Sequence, residues 1–191
     1  MEKLIQSILD VYSLSPIDLE LLIRSGEEIH VAKGESIIKE GEICRSVFII
    51  KEGIWRAYHM EEGREITIWF VAPGELAFSS WGYIDDQPSG LTLEASCDSI
   101  ALRYSKECFE DLFTTSMDLA VWQKKMLERM VLNTDQSLID IYKPGATERY
   151  KALVEKMPYI LQNVPLKDIA GYLGITPQSL SRIRAQLVRK K

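Results

Sequence analysis

The sequence predicts an α+β chain: a glycine-punctuated β-sandwich or barrel, then one long helix, then a small helical domain carrying a helix-turn-helix. Three observations predict it. Short runs of β-branched and aromatic residues fill residues 28–103, no glycine or proline interrupts residues 106–142, and the segment 143–191 reverses the charge of everything before it. With 191 residues, 46% hydrophobic and 27% charged, the chain has enough apolar material for one or two packed domains and too much for disorder.

The first elements are helical. Leu4, Ile5, Ile8 and Leu9 make one apolar stripe, and Leu19, Leu21, Leu22 and Ile23 make another. Between them Ser15-Pro16-Ile17-Asp18 places a serine cap before a proline at the first helical position, with acids in the favoured first turn.

Strands follow. His30-Val31, Ser36-Ile37-Ile38, Val47-Phe48-Ile49-Ile50, Ile54-Trp55-Arg56-Ala57-Tyr58, Ile66-Thr67-Ile68-Trp69-Phe70-Val71 and Ser99-Ile100-Ala101-Leu102 have β texture, and glycines 34, 41, 53, 63 and 74 separate them. Glu61-Glu62-Gly63-Arg64 reads as a hairpin tip. Trp81-Gly82-Tyr83 is placed in the loop after Glu75, as a ligand-contact candidate against the ordinary reading of aromatics as core or rim.

A shorter helix and then a long one occupy 106–142. Ala120, Leu127, Thr134 and Ile141 share one heptad position, and Lys124, Val131 and Leu138 share the other seam position. Trp122, Met126 and Met130 fall on a neighbouring face that can pack back on the β domain. Two apolar faces imply two surfaces, so Leu127, Val131, Thr134, Leu138 and Ile141 are assigned to a helix-to-helix dimer contact. Lys143-Pro144-Gly145 stops the helix.

Overall charge is −5, which alone argues against a polyanionic partner. Residues 143–191, however, hold ten basic residues against three acidic, a net +7, while residues 1–142 carry −12. Within the basic part, Leu166, Ile169, Ala170 and Leu173 give one short amphipathic helix. Gly174 is a left-handed terminator, Ile175 plugs the gap, and Thr176 caps the next helix with Pro177 at its first position. Leu180, Ile183 and Leu187 then form the second inward stripe. This is helix-turn-helix spacing. Outside remain Thr176, Gln178, Ser179, Ser181, Arg182, Gln186 and Arg189, with no acid from residue 169 to 191. Such a face suits a major groove, where Gln pairs with adenine and Arg with guanine, and hydroxyls at a helix amino terminus suit phosphate.

These residues, with Lys33-Gly34-Glu35, Glu40-Gly41-Glu42 and Pro73-Gly74-Glu75-Leu76, give an architecture that resembles the cyclic-AMP receptor/FNR family of bacterial transcription regulators over nearly the whole chain. The resemblance implies a β-roll (jelly-roll, cyclic-nucleotide-binding-like) sensor at 1–116 with the N-terminal helices, a dimerisation helix at 117–142 and a helix-turn-helix domain at 143–191. It also implies a homodimer on double-stranded DNA with recognition helices about one turn apart, and contact with RNA polymerase. The DNA-contact set becomes Thr176, Pro177, Gln178, Ser179, Ser181 and Arg182. Arg182 matches a base-reading arginine, whereas Pro177 and Gln178 stand where other members carry arginine and glutamate, so the operator differs from theirs. The effector set is Gly74, Glu75, Leu76, Ala77, Ser89 and, on the long helix, Thr134.

Three departures shape the expectation. Residues 77–102 contain no Arg or Lys to meet a cyclic phosphate, and Pro88-Ser89 falls where a basic pair belongs, which argues against cyclic AMP. No cysteine precedes Cys44, which argues against an iron–sulfur cluster. The sequence ends four residues after Leu187, so the backbone contacts that a β-hairpin wing supplies in other members fall to Arg189, Lys190 and Lys191 or are absent.

Other function classes fare worse. His30 and His59 are the two histidines and nothing places them together, and no nucleophile elbow, phosphate-binding loop or zinc-protease motif occurs, so neither a catalytic nor a metal site is expected. No apolar run reaches membrane-spanning length, and the first residues lack a basic-then-apolar signal. Cys44, Cys97 and Cys108 lack metal-ligand spacing and read as reduced thiols in a cytoplasmic protein. The competing reading is a nucleotide- or partner-sensing signalling module that does not bind DNA; the low pI of 5.2 favours it and the acid-free face opposes it.

Overall fold

The computed structural model describes residues 2–142 and 145–188. Two helices open the chain, α1 (Glu2–Leu9) and α2 (Pro16–Ser25), and the Ser15 hydroxyl caps α2 by accepting the Asp18 amide. Strands β1 (Glu27–Val31), β2 (Ser36–Ile38), β3 (Val47–Glu52), β4 (Trp55–Glu61), β5 (Arg64–Val71) and β6 (Leu76–Ala77) follow, then a short helix α3 (Ser80–Asp85), β7 (Thr92–Ala95) and β8 (Ser99–Tyr104). Helices α4 (Lys106–Thr115) and α5 (Met117–Ile141) are separated at Ser116, whose hydroxyl caps α5. The remainder is α6 (Ala146–Lys156), α7 (Ile160–Asn163), α8 (Leu166–Tyr172) and α9 (Pro177–Val188).

The strands form two antiparallel four-stranded sheets, in the orders β1-β8-β3-β6 and β2-β7-β4-β5. Their facing sides enclose Val31, Ile38, Phe48, Ile50, Trp55, Ala57, Val71, Leu93 and Ala101, all buried, with the Phe48 ring edge-on to Trp55 at 5.3 Å between centroids. Side-chain packing therefore fills the interior of the roll. The hairpin tip lies where expected, with Glu62 and Gly63 both at positive φ between β4 and β5.

Each sheet has a second face to cover. The β1-containing sheet is covered by helices: Leu4, Ile8, Leu22, Phe109, Leu112, Leu119, Trp122 and Met126 pack with Val47, Ile49, Leu102 and Tyr104. Trp122 and Met126 thus take the inward role that their helical spacing assigned. Two polar tips tie this layer down, with the Trp122 indole donating to the Ile8 carbonyl at 3.2 Å and the Tyr104 hydroxyl donating to that of Leu22 at 2.8 Å.

The outer face of the other sheet is covered by the C-terminal helices. Ile54, Phe70 and Ala72 join Tyr150, Leu153, Ile160, Ile169, Ala170, Leu173, Leu180 and Ile183 in one continuous core. Helix α8 lies directly on β5, and Gly171 is what lets it. A Cβ at that position would stand 3.1 Å from the Glu65 carbonyl oxygen and 3.5 Å from the Thr67 hydroxyl.

Two local expectations are corrected. Trp81-Gly82-Tyr83 lies on helix α3 rather than in a loop, because Ser79 caps that helix by accepting the Gly82 amide and Gly82 packs against the Cys44 backbone too closely to admit a side chain. Strands β6 and β7 escape the β-run reading because one is two residues long and the other, Thr92–Ala95, contains Glu94.

Candidate nucleic-acid interface and effector cavity

The helix-turn-helix forms as its sequence dictates. Helix α8 buries Ile169 and Ala170 and ends with Leu173 buried against α9, while Gly174 adopts φ +64° and turns the chain. The Ile175 amide returns to the Ala170 carbonyl at 3.0 Å, and Ile175 packs against the core between the two helices. Thr176 caps α9, its hydroxyl accepting the Ser179 amide at 3.2 Å, and the Leu180 amide reaches the Thr176 carbonyl at 3.0 Å. Leu180 and Ile183 face inward.

The opposite face of α9 points to solvent. Thr176, Pro177, Gln178, Ser181, Arg182 and Gln186 are exposed and Ser179 is half-buried. Three hydroxyls are already engaged locally, those of Thr176 and Ser179 with each other at 3.0 Å and that of Ser181 with the Pro177 carbonyl at 3.0 Å. Arg182 carries no ion pair among the described residues, so its guanidinium is open to a partner. Arg189, Lys190 and Lys191, and the helix stop at Lys143-Pro144, lie outside the described residues.

A charge cluster absent from the sequence reading holds this module on the sheet. Arg56 on β4 is 1% exposed and faces α8, since strand alternation turns Trp55 and Ala57 to the opposite side. Its guanidinium donates to Glu94 Oε1 at 2.9 and 3.2 Å and to Glu65 Oε2 at 2.7 Å, and lies 4.3 Å from the centre of the Tyr58 ring. Nη1 sits 3.0 Å from Asp168 Oδ1 on α8, and Asp168 is 3% exposed. That oxygen makes no aligned hydrogen bond, so the contact is an ion pair only. Burial pushes the Asp168 carboxyl above its usual range, with the charges of Arg56 and Lys167 pulling it back. Burial also opposes ionisation of Glu65, but its hydrogen bond and charge contact with Arg56 prevail and hold it below the usual value. Two signals could have found the cluster: a lone arginine inside the apolar run 54–58, and an acid in an otherwise basic motif.

A cavity of about 240 Å³ opens between β5, β6, α5, α6 and α8. Its apolar wall includes Phe70, Leu76, Met126, Met130, Leu153 and Met157, and its polar wall includes Glu75, Arg129, Asn133, Thr134, Ser137 and Lys156. The structure brings three of the six effector candidates here, Glu75, Leu76 and Thr134. The other three do not line it. Gly74 packs against Ser7, Ala77 belongs to the filled core of the roll, and the Ser89 hydroxyl is spent on its own loop, donating to the Leu91 carbonyl at 2.7 Å. The Trp81-Gly82-Tyr83 segment does not line the cavity. Burial raises the Glu75 carboxyl above its usual range, although its Oε2 accepts the Ala72 amide at 2.9 Å and Arg129 and Lys156 favour its charged form. Across the cavity the Tyr172 hydroxyl of α8 reaches Ser137 of α5, near Asp140; burial raises this tyrosine too.

On α5, Leu127, Val131, Leu138 and Ile141 are exposed apolar residues, at 44, 61, 52 and 49%. Leu132, Ile139 and Tyr142 widen the stripe, a breadth that a strict heptad reading misses. Thr134, Leu138 and Ile141 also border the cavity, so the same helix edge serves both features.

The model of the cyclic nucleotide-binding domain family matches residues 28–116. The transcriptional activatory protein AadR of Rhodopseudomonas palustris is 25% identical over 189 residues, covering 93% of this chain and 78% of that protein. The nitrogen fixation regulation protein FixK of Bradyrhizobium diazoefficiens is 25% identical over 185 residues, with the same coverage of 93% and 78%. Among solved structures, FixK2 from Bradyrhizobium japonicum superposes with a TM-score of 0.71 at 21% identity over 86% of this chain and 85% of that one. The catabolite activator protein of Thermus thermophilus gives 0.56 at 18% identity over 94% and 86%. At these identities the structural likenesses speak to the fold.

Proposed function

We propose that this chain, which belongs to the cyclic-AMP receptor/FNR family of bacterial transcription regulators, acts as a homodimer that places α9 of each copy in the major groove of an operator. Residues 1–116 are the sensor, 117–142 the dimer helix and 143–191 the DNA-binding module. The observation that carries this reading is the α9 face: its inward stripe is fully used in the core while Thr176, Pro177, Gln178, Ser181 and Arg182 stay exposed. A buried recognition face would have removed the reading.

In this scheme Gln178 and Arg182 read base edges, and Thr176, Ser179 and Ser181 position the helix on phosphate. The exposed apolar stripe of α5 pairs with its copy, which removes a surface too apolar to remain in water. RNA polymerase is the further partner expected of a family member, and regulation rather than catalysis is the output. Cyclic AMP is disfavoured as the effector: Ser89 is committed to its own loop, and no cation stands between residues 77 and 102 to meet its phosphate. An effector that enters between α5 and α8 changes the balance between placements of α9, because it contacts both.

The test is selection of bound duplexes from a random pool by the purified full chain. Enrichment of an inverted repeat with half-sites about 10 base pairs apart is expected. Failure to enrich any sequence favours the sensing module that leaves DNA alone.

A further inference from the structure

Two cations stand at the cavity with no ion pair among the described residues, Arg129 on α5 and Lys156 on α6. Both favour the charged form of Glu75, and with Arg149 and Asp140 the described lining holds three cations against two carboxylates. Behind them the wall is apolar, and three methionines, Met126, Met130 and Met157, supply side chains that adapt to an irregular guest. Asn133 adds a side-chain amide that makes no hydrogen bond among the described residues, while the Thr134 and Ser137 hydroxyls are spent on the Met130 and Asn133 carbonyls.

We infer that this cavity binds a small anionic amphiphile: an apolar body seated among Phe70, Leu76, Met130 and Met157, with one carboxylate-like group turned out to Arg129 and Lys156. The inference rests on the reading of the chain as an effector-responsive regulator and names the class of effector.

Size supports the class. An apolar cavity of roughly 150 Å³ takes a benzene ring. At about 240 Å³ this one has room for a body of that size and a short polar arm. Charge supports it as well, since an anion at unpaired cations gains charge-assisted hydrogen bonds that a neutral guest forgoes. The walls make occupancy consequential. β5 and β6 belong to the roll, α5 is the long helix, and Lys156, Met157 and Tyr172 belong to the C-terminal helices. A guest that fills the space is bound best by one relative placement of these elements, and it therefore selects that placement.

Octanoate is the probe, titrated calorimetrically into the full chain, with 1-octanol as its neutral counterpart. Octanoate is expected to saturate one site per chain, with 1-octanol at least about tenfold weaker, the difference of one charge-assisted contact. The double substitution R129Q/K156Q, on exposed positions, is expected to weaken octanoate by at least about tenfold and to leave 1-octanol unchanged. Trp69 borders the cavity, so octanoate alters the protein fluorescence in the wild type. That change is expected to shrink in Trp69→Phe while calorimetric binding persists. Absence of octanoate binding, equal binding of 1-octanol, or an unaffected R129Q/K156Q variant would each overturn the inference. Operator selection is run without ligand on the same sample. Its failure alongside intact octanoate binding removes the regulator reading and leaves the site, and the converse removes the site alone.

Discussion

Replacing Arg56 by methionine tests how the C-terminal module is held. Arg56 is 1% exposed and answers three carboxylates, Glu65, Glu94 and Asp168, of which Asp168 is itself 3% exposed. Methionine keeps much of the length and apolar stem but leaves the three acids facing one another, with the exposed Lys167 as their remaining counter-charge at 3.7 Å from Glu65 and 3.9 Å from Asp168. Removing one partner from a buried ion pair costs about 3–5 kcal/mol. Asp168→Asn is gentler, because Arg56 keeps its three hydrogen bonds to Glu65 and Glu94 and loses only an unaligned contact. A cost of about 1–2 kcal/mol is expected there. Urea unfolding at fixed protein concentration measures both, and a double-mutant cycle should give a coupling of about 1–3 kcal/mol. If Arg56→Met costs less than about 1 kcal/mol, well under the buried-pair range, the cluster does not hold α8 to the sheet and the reasoning fails.

Glu75→Gln keeps an acceptor for the Ala72 amide and removes a charge that burial disfavours. Because the folded carboxyl titrates above its ordinary 4.5, its contribution to stability is full below that pH and is lost as pH rises through the folded value. Thermal unfolding should therefore show the variant more stable than wild type at pH 7, with the gap closing toward pH 4; a gap independent of pH would contradict the burial argument. The pair Val131→Glu and Leu138→Glu puts like charges on the exposed stripe of α5 and should convert a dimer to a monomer in sedimentation velocity, without loss of helix signal. Arg182→Ala should weaken operator binding by about 1–3 kcal/mol in fluorescence anisotropy and relax preference at one base position; equal affinity would remove Arg182 from base reading.

Local chemistry made much of the chain legible. Ser15, Thr176 and Gly174 act within a turn of their own position, so caps and turns could be assigned from neighbours alone. The two faces of α5 were also readable, because Trp122 and Met126 recur at helical spacing on one side and Val131 and Leu138 on the other. Long-range placement was not. Arg56 and Asp168 lie 112 positions apart and meet because Gly171 lets α8 settle on β5, a fact encoded in no window of either segment. The effector set shows the same division. Glu75, Leu76 and Thr134 converge, whereas Ala77 and Ser89, assigned from the family resemblance, turn into the roll core and a loop. Arg129 and Lys156 gave no signal, since a lone cation on a helix is ordinarily a solvated face.

In the proposed mode of action, two copies of α9 enter the same groove face of one duplex, a helical turn apart. Inserting five base pairs between the half-sites of the selected operator rotates one half-site by roughly half a turn, and inserting ten restores the face. Anisotropy titration at fixed salt should show affinity falling toward the non-specific level with five and recovering with ten. Affinity that is indifferent to both insertions would mean that the helices do not act as a pair.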